Sequence, residues 1–215
     1  HNDSLGHHGV ITQHEVNLMT AGRGIAHTEE STDDTQMIEA VQLWIALPKN
    51  QNIEPSFKHY PDLPKWSKGS AQFVLTTGQF DGHQSETLQY SPVVGVDIVF
   101  QADDTIQLTL EKDFEYGVFV LSGEANISQA MAVENELIYL PSGNNELTLT
   151  ASKDTHLLLI GGVPLDYEPV IWWNFVAANK DEIAQASIEW NQHSARFGEV
   201  KTNLPRLVAP EVPWK

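Results

Sequence analysis

Phe114-Glu115-Tyr116-Gly117-Val118-Phe119-Val120-Leu121-Ser122-Gly123-Glu124-Ala125-Asn126-Ile127 is the stretch whose reading decides the fold class. Aromatic and β-branched side chains crowd its first half, and these fit a pleated, half-buried surface. Ser122-Gly123-Glu124 then offers a glycine that can turn the backbone, and Ala125-Asn126-Ile127 resumes a strand. Strand, turn and strand predict a hairpin with Glu124 as one of its turn residues, the pattern found around the centre of a small β-barrel.

Working outward, period-two alternation and short β-rich runs recur along most of the chain, closed by Gly, Pro, Asn and Asp. They predict strands at 9–12, 15–20, 24–29, 39–47, 72–77, 86–90, 94–100, 105–110, 116–122, 125–128, 136–140, 146–151 and 156–161. Breakers fill the loops at 48–52, 61–64 and 142–145. One segment departs from this pattern. Asn179 can cap a helix whose third position is Glu182, and Ile183, Ala186 or Ser187, and Trp190 then share a face. That helix is expected to end near Phe197-Gly198, and 201–215, with three prolines, reads as an extended tail, either packed on the molecule or exposed. The β part divides near residue 90 into two sets of short strands, which predicts two stacked β-barrels.

Composition narrows the function classes. The 215 residues carry 12 Lys and Arg against 29 Asp and Glu, a formal charge of −17, which argues against direct nucleic-acid binding and anionic membranes, because both partners are polyanions. With 41% hydrophobic and 19% charged residues the chain has the composition of a folded protein. It has no cysteine, so disulfides, thiolate nucleophiles and Cys-ligated metals are excluded, and any metal must be held by His and carboxylates. Apolar runs such as 118–121 and 157–160 fall far short of the roughly 20 residues of a membrane helix. The first residues have neither a basic nor an apolar region of a secretory signal, and a cytoplasmic location is the default. Nucleophile-elbow, phosphate-loop and dinucleotide motifs are absent from the sequence.

Chemistry concentrates in Met19-Thr20-Ala21-Gly22-Arg23-Gly24-Ile25-Ala26-His27-Thr28-Glu29. Glycines on either side of Arg23 permit a tight bend, after which His27 and Glu29 stand two apart on a strand and aim at one face. An imidazole and a carboxylate on one face are half of a metal site; the competing reading is two solvated polar residues.

This stretch closely resembles the signature of the pirin family. The resemblance continues in His1-Asn2-Asp3-Ser4-Leu5-Gly6, in Gln42-Leu43-Trp44-Ile45-Ala46-Leu47-Pro48 with Ile53-Glu54-Pro55, and in Gly161-Gly162-Val163-Pro164-Leu165, Glu168-Pro169-Val170, Phe175-Val176 and Glu182-Ile183. It implies an all-β fold of two tandem cupin (jelly-roll β-barrel) domains with a C-terminal helix: an N-terminal barrel at 1–90 with the metal site, a structural C-terminal barrel at 91–165, and the closing helix and tail at 166–215. It further implies one Fe(II) or another divalent metal, held by a His-x-His pair together with a His and a Glu that match His27 and Glu29 here. No His-x-His occurs in the chain, so the resemblance puts that pair on strands upstream of His1, and the expectation is a barrel lacking its first strands. Gln13-His14-Glu15 stands where the family usually has a Pro-Gly-Asp turn, and His14 and Glu15 are read as turn residues.

His59, His83, His156 and His193 sit singly in the sequence and are read as surface or core residues; Asp33-Asp34 as a solvated loop; Trp172-Trp173 as an anchor for the helix. Two functions follow from the resemblance. One is a metal-dependent dioxygenase acting on a flavonol such as quercetin, with His27 as a neutral imidazole ligand, Glu29 as ligand and catalytic proton acceptor, and Met19 and Gln42 lining the pocket. The other is a non-enzymatic regulatory protein that binds a protein partner and is metal-free in this form.

Overall fold

The computed structural model describes residues 1–32, 39–49 and 51–214. The Asp33-Asp34 loop and Asn50 of the 48–52 loop lie outside the described residues. The strands are β1 (Asn2–Asp3), β2 (Val16–Thr20), β3 (His27–Thr28), β4 (Ser56–Tyr60), β5 (Lys65–Lys68), β6 (Ala71–Thr77), β7 (Gln79–Phe80), β8 (His83–Gln84), β9 (Val93–Phe100) and β10 (Asp104–Thr109). They continue as β11 (Glu115–Ser122), β12 (Glu124–Ile127), β13 (Ala130–Val133), β14 (Leu137–Leu140), β15 (Glu146–Ala151), β16 (His156–Gly162), β17 (Val170–Trp172) and β18 (Phe175–Ala177), followed by the helix α1 (Lys180–Asn191).

The chain packs as two compact units: His1–Thr12, Asn17–His59 and Leu165–Lys215 form one, and Gln13–Val16 with Tyr60–Pro164 the other. Residues 60–90 pack with the second unit, because β5 and β6 extend its sheet: Val74 stands opposite Asp97, and Leu75 opposite Val96. The 166–215 segment packs with the first unit.

Two large antiparallel sheets dominate the second unit, one ordered β14-β11-β16-β9-β6-β5 and the other β10-β15-β12-β13, with β7 and β8 as a small hairpin beside them in sequence. Alternating residues from both face inward, and Phe73, Leu75, Val96, Ile98, Phe100, Leu108, Ile127, Leu147, Leu149, Leu157 and Leu159 are fully buried in one core. Each contributes about 1.5–3 kcal/mol relative to exposure, which makes this core the main source of the unit's stability.

The Ser122-Gly123-Glu124 turn is a sheet-switching corner, which corrects the hairpin reading. β11 pairs with β14 and β16, whereas β12 pairs with β13 and β15. Gly123 alone supplies a left-handed φ of 82°, enough to redirect the chain but short of the two positive φ values that a type I′ reversal needs. That reversal occurs one strand later, where Ser128 (φ 47°) and Gln129 (φ 78°) join β12 to β13.

The first unit pairs β1 with β3, β2 with β4, and β17 with β18. Asn179 caps α1: its Oδ1 accepts from Glu182 N at 3.0 Å while its Nδ2 donates to Glu182 Oε1 at 2.7 Å. Ile183, Ala186 and Ser187 form the buried face, as the spacing predicts. The helix stops at Asn191, short of the Phe197-Gly198 expectation, and His193 follows with a φ of 56°. The tail packs. Asn191 exchanges hydrogen bonds with the Ala209 backbone at 2.9 and 3.0 Å, and the Arg206 guanidinium lies 3.5 Å from the centre of the Trp190 ring. Trp173 meets Trp190 edge-on and Trp172 meets Trp214, so this aromatic pair anchors both helix and tail.

The predicted strands at 9–12, 39–47 and 86–90 do not form, although those residues are described. Val41, Leu43, Trp44 and Ile45 are instead exposed in a segment without a strand partner, and an apolar alternating run becomes a strand only where a neighbour takes its hydrogen bonds. Of the 24–29 strand, only His27–Thr28 pairs.

Candidate functional site

The bend before β3 is held by close backbone approach. Gly22 has a φ of 51°, and a Cβ there would sit 2.3 Å from Ile53 O, so only glycine lets the bend lie against 53–55. Arg23 forms an ion pair with Glu54, its Nη1 donating to Oε1 at 2.7 Å, and Ala26 N donates to Phe197 O at 3.0 Å. Ala26 O in turn accepts from Ser4 N at 2.9 Å. These contacts deliver His27 to its place opposite β1.

Antiparallel register puts Asp3 opposite His27 and Asn2 opposite Thr28, and continuing it sets His1 opposite Glu29. His1, Asp3, His27 and Glu29 thus alternate onto one face. The His1 Nδ1 lies 2.7 Å from Glu29 Oε1, and its Nε2 lies 3.4 Å from Asp3 Oδ2. Its ring stacks on Phe57 of β4 at 4.2 Å and 6°, and on His27 at 5.6 Å and 21°. Asp3 is buried, and its Oδ1 accepts from Leu5 N at 2.9 Å and His7 N at 3.0 Å, while the His7 ring Nδ1 lies 3.0 Å from Oδ2.

Both residues of the His-x-Glu motif therefore meet the His1 ring. Met19 shares a face of β2 with Asn17, whose Oδ1 lies 2.8 Å from the His59 ring Nδ1; His59 in turn shares a face of β4 with Phe57. Gln42 is exposed on the 39–49 segment, which forms no strand. An imidazole nitrogen and a carboxylate oxygen on one face suit a borderline divalent cation. Two donors are half of a complete shell, and among the described residues no group of three or more His, Asp or Glu is gathered at metal-holding geometry.

Reading the sequence missed His1, Asp3 and Phe57 as members of this site. A signal for two of them was present: His1-Asn2-Asp3 is a second His-x-acid alternation, and cross-strand pairing sets it opposite the first. Phe57 carried none, because its strand was not foreseen. His156, read as a single histidine, proves to be hydrogen-bonded through Nε2 to Asp97 on the neighbouring strand β9. No helix among the described residues is long and apolar enough to cross a membrane.

Antiparallel jelly-roll sheets, a short helix near the C-terminus and a His-x-Glu pair that begins on the early strand β3 define an all-β protein of the tandem-cupin class. Residues 1–45 match the Pirin family and residues 95–198 the Pirin C-terminal cupin domain. A Pseudomonas aeruginosa protein whose name assigns it provisionally to quercetin 2,3-dioxygenase is 46% identical over all of this chain and 69% of its own length. A pirin-like protein of Caulobacter vibrioides is 32% identical over 88% of this chain and 67% of its own. The crystal structure of a quercetin 2,3-dioxygenase from Acinetobacter baumannii superposes with a TM-score of 0.95 at 39% identity, covering 99% of this chain and 72% of that one. The chain belongs to the pirin family.

Proposed function

We propose that this chain carries the metal-binding side of a quercetin 2,3-dioxygenase-type active site, with His27 and Glu29 as two ligands of an Fe(II) or related divalent ion and a flavonol as substrate. The observation that carries this reading is the convergence of His27 and Glu29 on one ring at the β1–β3 pair. The relatives named for quercetin 2,3-dioxygenase support the substrate class.

His27 would donate a neutral imidazole nitrogen, and Glu29 one carboxylate oxygen. When bound, the ion would act as a Lewis acid toward the oxygens of the substrate. Glu29 would accept the proton of a substrate hydroxyl, since its side chain is 58% exposed and within reach of an incoming molecule. Met19, on the face of β2 that meets His59 and Asn17, and Gln42 would line the approach.

Loss of quercetin absorbance, coupled to dioxygen uptake in the presence of Fe(II), tests the proposal. Glu29→Gln should lower kcat by about 10²–10⁴-fold, the range for a positioned general base, and His27→Ala should remove metal binding together with turnover. A wild-type chain that takes up Fe(II) but leaves quercetin intact would overturn the dioxygenase reading.

A further inference from the structure

We propose that His1 is the positioning residue of this site: it holds one oxygen of the Glu29 carboxylate, so that Oε2 is the oxygen offered to a cation or a substrate hydroxyl. The proposal rests on the reading of His27 and Glu29 as the site.

The Glu29 side chain is 58% exposed, and an exposed carboxylate on three rotatable bonds has many orientations to choose from. The His1 side chain is only 2% exposed and is fixed on several sides. Phe57 and His27 stack on it, and Asp3 Oδ2 faces its Nε2. Asp3 is anchored in turn, with 0% side-chain exposure and hydrogen bonds from the Leu5 and His7 backbone. Rigidity therefore passes from backbone amides to Asp3, from Asp3 to the His1 ring, and from its Nδ1 to Glu29 Oε1 at 2.7 Å.

Packing alone does not account for a histidine at this place. A phenyl ring would stack on Phe57 equally well and would spare the cost of burying two polar nitrogens. What the imidazole adds is a nitrogen aimed at each of two carboxylates. Partners that orient ligands from behind in this manner commonly change metal affinity by about 10–100-fold when removed.

The test compares His1→Phe, which keeps the ring stack, with His1→Gln, whose amide can still donate to Glu29. Mn(II) affinity is read by electron paramagnetic resonance on the whole chain, and the Glu29 carboxylate by ¹³C NMR in metal-free protein. Expected are an affinity about 10–100-fold weaker in His1→Phe, a displaced Glu29 resonance, and recovery of both in His1→Gln. Should His1→Phe fail to fold, His1→Met makes the same comparison with His1→Gln. Mn(II) affinity within twofold of wild type, with the Glu29 resonance unmoved, overturns the proposal. A wild-type chain that takes up no Mn(II) overturns the metal reading instead, and the Glu29 resonance alone then decides whether His1 positions it.

Discussion

Gly22 shows how narrowly single residues condition the site. Its left-handed φ of 51° and the 2.3 Å between a would-be Cβ and Ile53 O leave no room for a side chain. Gly22→Ala should destabilise the chain by at least about 1 kcal/mol, since a positive φ and a backbone clash both penalise alanine. Urea denaturation followed by tryptophan fluorescence checks this, and an unchanged midpoint would mean that the bend is not held against 53–55. Gly22 and Gly24 stand out in the sequence because two glycines around one arginine have an obvious backbone use. His156 was opaque at this scale. Its partner Asp97 is 59 residues away, and only the β9–β16 register brings the two together.

At the scale of elements, the helix was legible because its signals are local: a capping side chain, an acidic third position and apolar residues at helical spacing. Asn179→Ala should lower stability by about 1 kcal/mol and Asn179→Ser by much less, since serine also caps. The difference between their urea midpoints measures the cap, and equal losses would show that the side chain's acceptor role is dispensable. Strands were read less evenly. β6, β9, β10, β11, β15 and β16 announced themselves by short β-rich runs or apolar–polar alternation, whereas the largely apolar run at 39–47 forms no strand. Its pattern states a preference for a sheet face, which the described structure does not provide. The corner at Gly123 is a related case. A turn is encoded locally, but whether it reverses the chain or passes it to another sheet depends on which neighbours claim β11 and β12.

For the whole molecule, charge sets the response to acid. Backbone hydrogen bonds from Ser70 and Thr105 hold the Asp104 carboxyl below its ordinary value, and side-chain hydrogen bonds from Arg196 and Gln185 do the same for Glu189. A carboxylate whose folded value is depressed binds fewer protons than in the unfolded chain, so its stabilisation is present above the unfolded value and lost as pH falls through the folded one. Stability should therefore hold above about pH 4.5 and decline below it, where ordinary carboxylates titrate. Urea midpoints measured from pH 7 to 3 trace this, and Asp104→Asn should flatten the decline. A profile that is flat in wild type would show that these hydrogen bonds do not bias the titration.

The sequence by itself determined the β class, the capped helix and the His27–Glu29 pair, because each rests on spacing within a few residues: period two for strands, less than one helical turn for the cap, one alternation for the pair. The tertiary structure decided that residues 60–90 pack with the second unit, that the tail lies on the helix, and that His1, Asp3 and Phe57 stand with the pair. These depend on which strand edges find partners across long stretches of chain. Such pairing is fixed by competition among all the edges at once, and no local window of residues contains it.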